Sequence, residues 1–228
     1  MQILLSAATE FEIAPSKQYF EENPLKDHKL DFLITGAGIL PAAYSFAKYL
    51  STSKPDLIIQ AGIGGSLDPT IPLGETFALL SDCIADSGVE ENNSFKTLFD
   101  LKLADANRQP WNHGKLVNPS FLLLAKTTLS LAEGITVNEI STNVQRINYY
   151  KEKWNAQVES LEGAALHYVA IQEKVAFLQI RTISNYIGER DKSKWMLEGA
   201  ISNLNKELQR ILPMIEMSNL SAIGGQIL

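Results

Sequence analysis

The sequence predicts an α/β fold: a single domain, residues 1–228, whose mixed, mostly parallel, twisted sheet is flanked by helices. Two short apolar segments, residues 31–35 and 57–61, each run into a glycine turn, and such units are typical of a parallel sheet covered by helices. Of the 228 residues, 45% are hydrophobic and 20% charged, and no repeat or low-complexity linker divides them. Folds of this class are routinely single domains at that length.

The first part of the chain alternates strand and helix patterns. Residues 2–8 are apolar and predict a buried strand, whereas residues 10–22 mix apolar and acidic residues at helical spacing. Residues 31–35 predict a second strand ending in the turn Gly36-Ala37-Gly38, and residues 41–50 predict a helix that begins with proline. These segments read as successive strand, turn and helix units.

The middle of the chain is less regular. Residues 57–61 predict a third strand, which ends in Gly62-Ile63-Gly64-Gly65, and residues 75–81 predict a fourth. Residues 82–114 are polar and rich in turn-forming residues, which predicts excursions on the surface.

The second half returns to alternating elements. Asn118 and Pro119 suit the cap and first position of a helix, and apolar residues three and four apart near the C-terminus indicate a long amphipathic helix. The predicted helices are residues 118–131, 162–173 and 194–217. The predicted strands are residues 135–140 and 175–184, together with a short strand that ends at Val158.

Charge and cysteine content restrict the class of partner. A net charge of −6 argues against nucleic acid or an anionic membrane, since both need clustered Lys and Arg. The single cysteine, Cys83, excludes an intramolecular disulfide and a Cys-rich metal site. The N-terminal apolar run has neither the length nor the flanks of a signal peptide or a membrane span. We therefore expect a cytoplasmic protein that acts on a small molecule.

The turn Gly36-Ala37-Gly38 is a weak match to a dinucleotide fingerprint. It follows a strand and opens a helix, but Pro41 replaces the third glycine, and the acidic residue Asp56 precedes its strand instead of ending it. The three histidines are widely separated in the sequence. We expect neither a cofactor nor a metal.

Candidate functional residues gather where predicted strands end, which is where ligands bind in open α/β sheets. They are Glu12, the loop 61–67, the run Val158-Glu159-Ser160-Leu161-Glu162-Gly163-Ala164-Ala165, and Arg181-Thr182-Ile183-Ser184-Asn185. These motifs resemble the family of purine nucleoside phosphorylases and methylthioadenosine nucleosidases, and the resemblance covers almost the whole chain except about residues 82–118. The extra residue between Glu159 and Glu162, together with residues 185–191 and Trp195, resembles the futalosine hydrolase subfamily.

The resemblance implies hydrolysis of a purine N-ribosidic bond, with Glu12 activating water and Glu162 holding the ribose hydroxyls. From position alone, both acids are better explained as carboxylates at helix N-termini, and only the resemblance favours the functional roles. Cleavage of such a bond passes through an oxocarbenium-like sugar, so a carboxylate that activates water fits the chemistry. Ile63 and Leu161 are expected to contact the substrate. Arg181 is expected to support Glu12 or Glu162, with a plain structural ion pair as an equal alternative.

Asn185 is expected to select the base. Adenine-specific members of the family have Asp there, whereas an amide both donates and accepts, as a 6-oxopurine such as hypoxanthine requires. A turn residue after a strand is the alternative for Asn185. The segment 185–195 also offers Arg190 and Trp195 for the benzoate group of futalosine, and the alternative there is a solvated loop with Trp195 anchoring the terminal helix.

Water is expected to be the nucleophile, because the first arginine in the chain is Arg108, Ile63 stands where the family often has a hydroxyl, and Glu12 would repel phosphate. The subfamily resemblance implies release of hypoxanthine from futalosine in the futalosine route to menaquinone, by a homodimer or higher homo-oligomer. Two alternatives stay open: another nucleosidase or phosphorylase, of methylthioadenosine, S-adenosylhomocysteine or inosine type, and a non-catalytic nucleotide-binding module.

Overall fold

The computed structural model describes residues 1–92 and 94–220. The strands of this part of the chain are β1 (Gln2–Ala7), β2 (Lys29–Ile34), β3 (Leu57–Ser66), β4 (Thr76–Asp82), β5 (Gly88–Glu91), β6 (Ser94–Thr97), β7 (Leu116–Val117), β8 (Ser130–Thr136), β9 (Val158–Ser160) and β10 (Ala176–Tyr186). The α-helices are α1 (Glu10–Glu22), α2 (Ile39–Leu50), α3 (Phe121–Thr127), α4 (Val144–Trp154), α5 (Gly163–Glu173) and α6 (Leu197–Ile211).

The main sheet is mixed and partly closed on itself. Strands β2, β1, β3 and β10 are parallel neighbours, and β4 joins the far edge of β10 in the antiparallel direction. Beyond β4 come β8 and β9 in parallel, and β9 returns to pair antiparallel with β3. Five strands thus form a ring, with β1 and β2 extending from it. The predicted α/β class with a mixed, mostly parallel sheet is confirmed.

Strand β3 creates the opening in which the site lies. One of its edges pairs with β1 through Leu57–Gln60, and the same edge pairs with β9 only at Gly65 and Ser66. Between these two stretches, no strand within residues 1–92 and 94–220 pairs with this edge of β3. The gap opens at the carboxyl end of β1, where ligands bind in sheets of this kind.

Helices cover both faces of the sheet and fix its position. On one face, Ile13 of α1 and Leu204 of α6 are buried in the same apolar cluster as the strand residues Leu5 and Ile59. On the other face, Phe46 of α2 packs in a second cluster with residues of α5. A third cluster joins Tyr150 and Trp154 of α4 to Ile135 of β8. Burial of these apolar side chains is the main contribution to folding.

Several predicted element boundaries are wrong. β3 continues to Ser66 instead of ending at Ala61, because β10 pairs with it along the whole length. The helix predicted at residues 118–131 is limited to α3, since Thr128 takes a left-handed conformation that ends it. The strand predicted at residues 135–140 runs earlier, as β8, and Val158 begins β9 instead of ending a strand.

The C-terminal helix and α4 also differ from expectation. The predicted helix 194–217 is shorter, as α6, and Trp195 precedes it in an extended conformation after a short 3-10 turn. Helix α4 was not predicted, although Asn143 caps it by accepting hydrogen bonds from Gln145 N and Arg146 N. Its mean hydropathy is low, so few apolar residues mark it in the sequence.

Residues 82–114 are largely irregular, as expected, but they contain the small hairpin of β5 and β6. No helix within residues 1–92 and 94–220 is long and apolar enough to cross a membrane. The domain prediction extends to residue 228, and its final eight residues, like residue 93, lie outside the described part.

Candidate active site

A cavity of about 370 Å³ lies at the carboxyl ends of β1, β3 and β10. That volume is in the range of small-molecule sites. Most residues that the sequence singled out line this cavity: Glu12, Ile63, Leu161, Glu162, Asn185, Arg190 and Trp195. Arg181 does not line it.

Glu12 combines a position in the cavity with a structural role in α1. Its Oε2 accepts hydrogen bonds from Thr9 N (2.9 Å) and Thr9 Oγ1 (3.0 Å), as in a capping box. Its Oε1 accepts one from Ile63 N (3.1 Å), which satisfies part of the unpaired edge of β3. A carboxylate offers about four lone-pair sites, so Oε1 keeps one acceptor direction for a further donor such as water.

Glu162 connects three elements of the site. It precedes α5, its Oε1 accepts a hydrogen bond from Gly38 N (3.1 Å), and its Oε2 lies 3.4 Å from Arg181 Nη2. The turn Gly36-Ala37-Gly38 therefore holds a carboxylate, and the donor that a nucleotide phosphate would use is occupied.

Arg181 lies beneath the cavity floor and not in its wall. The side chain is 1% exposed, pairs with Glu162 and donates to Gln60 Oε1 (3.1 Å). Arg181 is paired with Glu162, one of the two acids that it was expected to support, and it lies behind the residues that line the cavity. The sequence did not decide between support of a site acid and a plain ion pair, because it does not show how far a residue of a buried strand lies from the cavity.

Gly62 allows the two sides of the site to approach. A Cβ placed on it would lie 2.5 Å from Arg181 Nη1 and 2.8 Å from Glu12 Oε1. Any larger residue would push the guanidinium or the carboxylate away. Gly62 is therefore required because a side chain at this position would collide with Arg181 or Glu12. Strand β3 continues through it instead of ending there.

A buried carboxyl group fixes the start of α5. Thr136 Oγ1 donates to Asp82 Oδ1 (2.8 Å) and accepts from Ala164 N (2.7 Å), two residues after Glu162. Burial raises the pKa of Asp82 to about 6. These contacts position the helix terminus from which Glu162 projects.

Asn185 lines the cavity at the end of β10, beside a bulge in the ladder with β3. Its Oδ1 accepts a hydrogen bond from Ser184 Oγ (2.9 Å), and its Nδ2 makes only a long one, 3.3 Å, to Tyr186 O. The amide is thus oriented by Ser184, and its NH₂ group keeps donor capacity for a ligand.

Arg190 and Trp195 form one wall of the cavity together. The Arg190 guanidinium lies 5.3 Å from the centre of the Trp195 ring, and the ring Nε1 donates to Glu189 O (3.2 Å). Within the described part of the chain Arg190 has no carboxylate partner, whereas Lys194 pairs with Glu189. An arginine stacked on an aromatic ring in this way presents a fork suited to a carboxylate.

Sequence reasoning missed several residues of the cavity wall. Phe11, 67% exposed and adjacent to Glu12, contributes to it, as do Ile140 and Ile187. Glu159 was part of the quoted run but received no role, and it also lines the cavity. An apolar residue beside a site acid is the only signal that pointed to Phe11, and such a pattern is common on helices.

The charges around the cavity favour a ligand that develops positive charge at the sugar over a phosphate dianion. The wall carries three carboxyl groups, Glu12, Glu159 and Glu162, against the single guanidinium of Arg190. An oxocarbenium-like sugar carries positive charge, which such groups stabilise, while a phosphate dianion is repelled. Among residues 1–92 and 94–220 no group of three His, Cys, Asp or Glu side chains is arranged to hold a metal ion.

Comparison with known proteins agrees with the motifs. No family model matches the chain. The chain is similar to the futalosine hydrolases of Thermus thermophilus (27% identity over 82% of this chain and 83% of that protein) and Streptomyces coelicolor (28%, 82% and 80%). It is also similar to the 5′-methylthioadenosine/S-adenosylhomocysteine nucleosidase of Staphylococcus aureus (26%, 80% and 80%).

Solved structures show the same fold. The futalosine hydrolase of Helicobacter pylori superimposes with a TM-score of 0.78 at 13% identity, over 94% of this chain and 98% of that one. The 5′-methylthioadenosine/S-adenosylhomocysteine nucleosidase of the same organism gives 0.78 at 14%, over 94% and 99%. The resemblance predicted from the motifs is confirmed.

Proposed function

We propose that the protein is a nucleosidase that hydrolyses the N-ribosidic bond of futalosine and releases hypoxanthine and dehypoxanthine futalosine. The observation that carries this proposal is the meeting of Glu12, Glu162 and Asn185 in one cavity at the carboxyl ends of the strands. The futalosine hydrolases among its relatives support the choice of substrate.

The reaction divides between the two ends of the cavity. As the bond between C1′ and N9 breaks, its electron pair leaves with the base and positive charge develops on the sugar. Glu12, through the free acceptor direction of Oε1, takes a proton from the water that attacks C1′. Glu162, fixed by Gly38 and Arg181, accepts hydrogen bonds from the ribose hydroxyls.

Asn185 assists departure of the base. Its Nδ2 donates to N7 or O6 of the purine, where the negative charge of the leaving group develops. An amide cannot transfer a proton to the base, so hydrogen bonding stabilises the charge until the departing base takes a proton from water; the hydroxide so formed recovers the proton held by Glu12 and restores its carboxylate. A 6-oxopurine places part of that charge on O6 and therefore suits an amide better than adenine does.

Arg190 and Trp195 are proposed to bind the benzoate group beyond the ribose 5′ carbon. Trp195 offers an apolar face, and the unpaired Arg190 guanidinium offers two parallel donors to the carboxylate. This contact would favour binding of futalosine over inosine, which has no carboxylate at that position. Ile63 and Leu161 also line the cavity and are proposed to contact the substrate.

The pathway, the cellular compartment and the oligomeric state are proposed from the substrate and from the enzymes that the chain resembles. We propose a cytoplasmic enzyme of menaquinone biosynthesis, acting as a homodimer or higher homo-oligomer, by analogy with the enzymes that it resembles.

The hydrolytic class is tested by following hypoxanthine release from futalosine in phosphate-free buffer and again with phosphate added. We expect equal rates and a free sugar product in both, because the acidic cavity repels phosphate. Release that depends on phosphate and yields a sugar 1-phosphate would make the protein a phosphorylase. The relatives that act as methylthioadenosine nucleosidases make adenine release from methylthioadenosine the second candidate activity.

A further inference from the structure

The carboxyl group of Glu159 has no role in the reaction as described above. Glu159 is the middle residue of the three-residue strand β9, is 4% exposed and lines the cavity. Its Oε2 has no hydrogen-bond partner among residues 1–92 and 94–220. Buried polar atoms in folded proteins are nearly always paired, so an unpaired carboxyl oxygen facing a cavity indicates a ligand that supplies the partner.

Strand pairing places Glu159 and Asn185 on either side of the same residue of β3. Glu159 is the register partner of Gly65 in β3, and Gly65 is in turn the register partner of Asn185 in β10. Directly opposed residues of neighbouring strands project to the same face, so the carboxyl and the amide flank the glycine. At about 4.8 Å per strand, their backbones are roughly 10 Å apart.

Gly65 makes room for the side chain of Ile187 between them. A Cβ on this residue would collide with Ile187 Cδ1 and lie 3.3 Å from Asn185 Nδ2. The result is a slot whose floor is the apolar side chain of Ile187, with a hydrogen-bonding group at each end. A flat heterocycle with polar atoms on two edges fits such a slot.

We propose that Glu159 is a second base-binding residue, which holds the N1–H and C6=O edge of a 6-oxopurine while Asn185 meets the N7 side. This inference rests on the proposed function, because it assigns the base-binding half of the same site. The lactam edge offers a donor and an acceptor side by side, and a protonated carboxyl group matches both with its carbonyl and hydroxyl oxygens.

The surroundings of Glu159 favour that protonated form. Burial first, and then the negative charge of Asp86, raise the pKa of Glu159 to about 7. The titratable groups that face it are Asp86 from the loop after β4 and Tyr150 from α4, while Glu12 and Glu162 share the cavity. Arg190 is the cation of the same cavity wall, but it is not among the groups that shift the pKa of Glu159.

The test compares hypoxanthine binding by wild-type protein and the variants Glu159→Gln and Glu159→Leu, with the exposed Glu152→Gln as control. Glutamine keeps one donor and one acceptor, so we expect a Kd within about threefold of wild type, whereas leucine should weaken binding by about tenfold or more. Free hypoxanthine has no ribose, so this readout is insensitive to sugar contacts. Equal affinity for Glu159→Leu and wild type, or equal loss in both variants, would overturn the proposal.

A second measurement needs no variant. Wild-type protein should bind 1-methylhypoxanthine about tenfold or more weakly than hypoxanthine, because the methyl group removes the N1 donor. Equal affinity would refute the contact. Both measurements use the free base, so they can succeed even when futalosine is not cleaved, and that outcome would reject the proposed substrate alone.

Discussion

The Oε2 atom of Glu162 lies 3.4 Å from Arg181 Nη2, and both side chains are almost completely buried. Each charge is buried with its main counter-ion, and the cavity end of the pair belongs to the proposed ribose site. Removal of one partner of such a pair leaves an uncompensated buried charge, which is far more costly than loss of a surface ion pair.

We therefore expect Arg181→Met to lower the free energy of unfolding by about 3–5 kcal/mol and to reduce turnover as Glu162 shifts. Urea denaturation followed by circular dichroism measures the first effect. The exposed Arg108→Met is the matched control and should change stability by less than about 0.5 kcal/mol. If both variants unfold at the wild-type midpoint, Arg181 does not support Glu162.

Glu12→Gln tests the proposed general base. The amide cannot accept a proton from water, so kcat should fall by about 10²-fold or more with little change in substrate affinity. The variant also sets an NH₂ group or a weaker acceptor against Thr9, so a small stability loss of about 1 kcal/mol is expected from the cap. Assays must therefore run well below the melting temperature. Glu10→Gln, in the same helical turn but exposed, should keep wild-type turnover; near-normal turnover of Glu12→Gln would remove Glu12 from the mechanism.

Asn185→Asp should move base preference from 6-oxopurine toward 6-aminopurine nucleosides. A carboxyl group protonated in the site donates to N7 but is less suited to O6. The ratio of kcat/KM values on futalosine and its 6-amino analogue measures the change and needs no external control. An unaltered ratio would show that Asn185 does not select the base.

Arg190→Ala should raise the KM for futalosine by roughly tenfold or more, because a charge-assisted hydrogen bond is lost. Inosine cleavage should be almost unaffected. Lys192→Ala, on the exposed turn nearby, is the control and should leave both substrates unchanged. Equal loss on both substrates would instead assign Arg190 to holding the loop beside Trp195.

The raised pKa of Glu159 predicts a pH-dependent stability difference between wild type and Glu159→Gln. In the unfolded chain the group ionises near its ordinary pKa of 4.5, but in the folded protein only near 7, so the folded state loses stability as pH rises through that interval. The glutamine variant avoids this loss. Its melting temperature relative to wild type should therefore increase between about pH 5 and pH 8. A difference that is constant with pH would show that Glu159 titrates normally.

The elements that carry the site were largely predictable. β1 and β10 have strong apolar patterns, and Glu12 and Asn185 lie near their carboxyl ends, where ligands bind in sheets of this kind. The resemblance of the run around Glu162 to the nucleosidase family then predicted that these residues share one site. Neither of these two predictions depends on knowing that five strands close into a ring.

The features of the site that the sequence did not predict depend on closure of the sheet into a ring. The role of Gly62 and Gly65 as space for neighbouring side chains arises only when β10 and β9 flank β3, so a local reading assigned them to a turn. The same closure buries Arg181 under the cavity and turns Glu159 toward it. Non-local pairing of this kind leaves no periodic signal in the chain.

The most direct test is to give purified protein futalosine, inosine and methylthioadenosine separately in phosphate-free buffer and to identify the released base by chromatography. The account predicts hypoxanthine from futalosine, with a kcat/KM about tenfold or more above that for inosine, because Arg190 adds a charge-assisted contact. Adenine should be released from methylthioadenosine more slowly still. Preferential release of adenine from methylthioadenosine, or no base from any of the three, would contradict it.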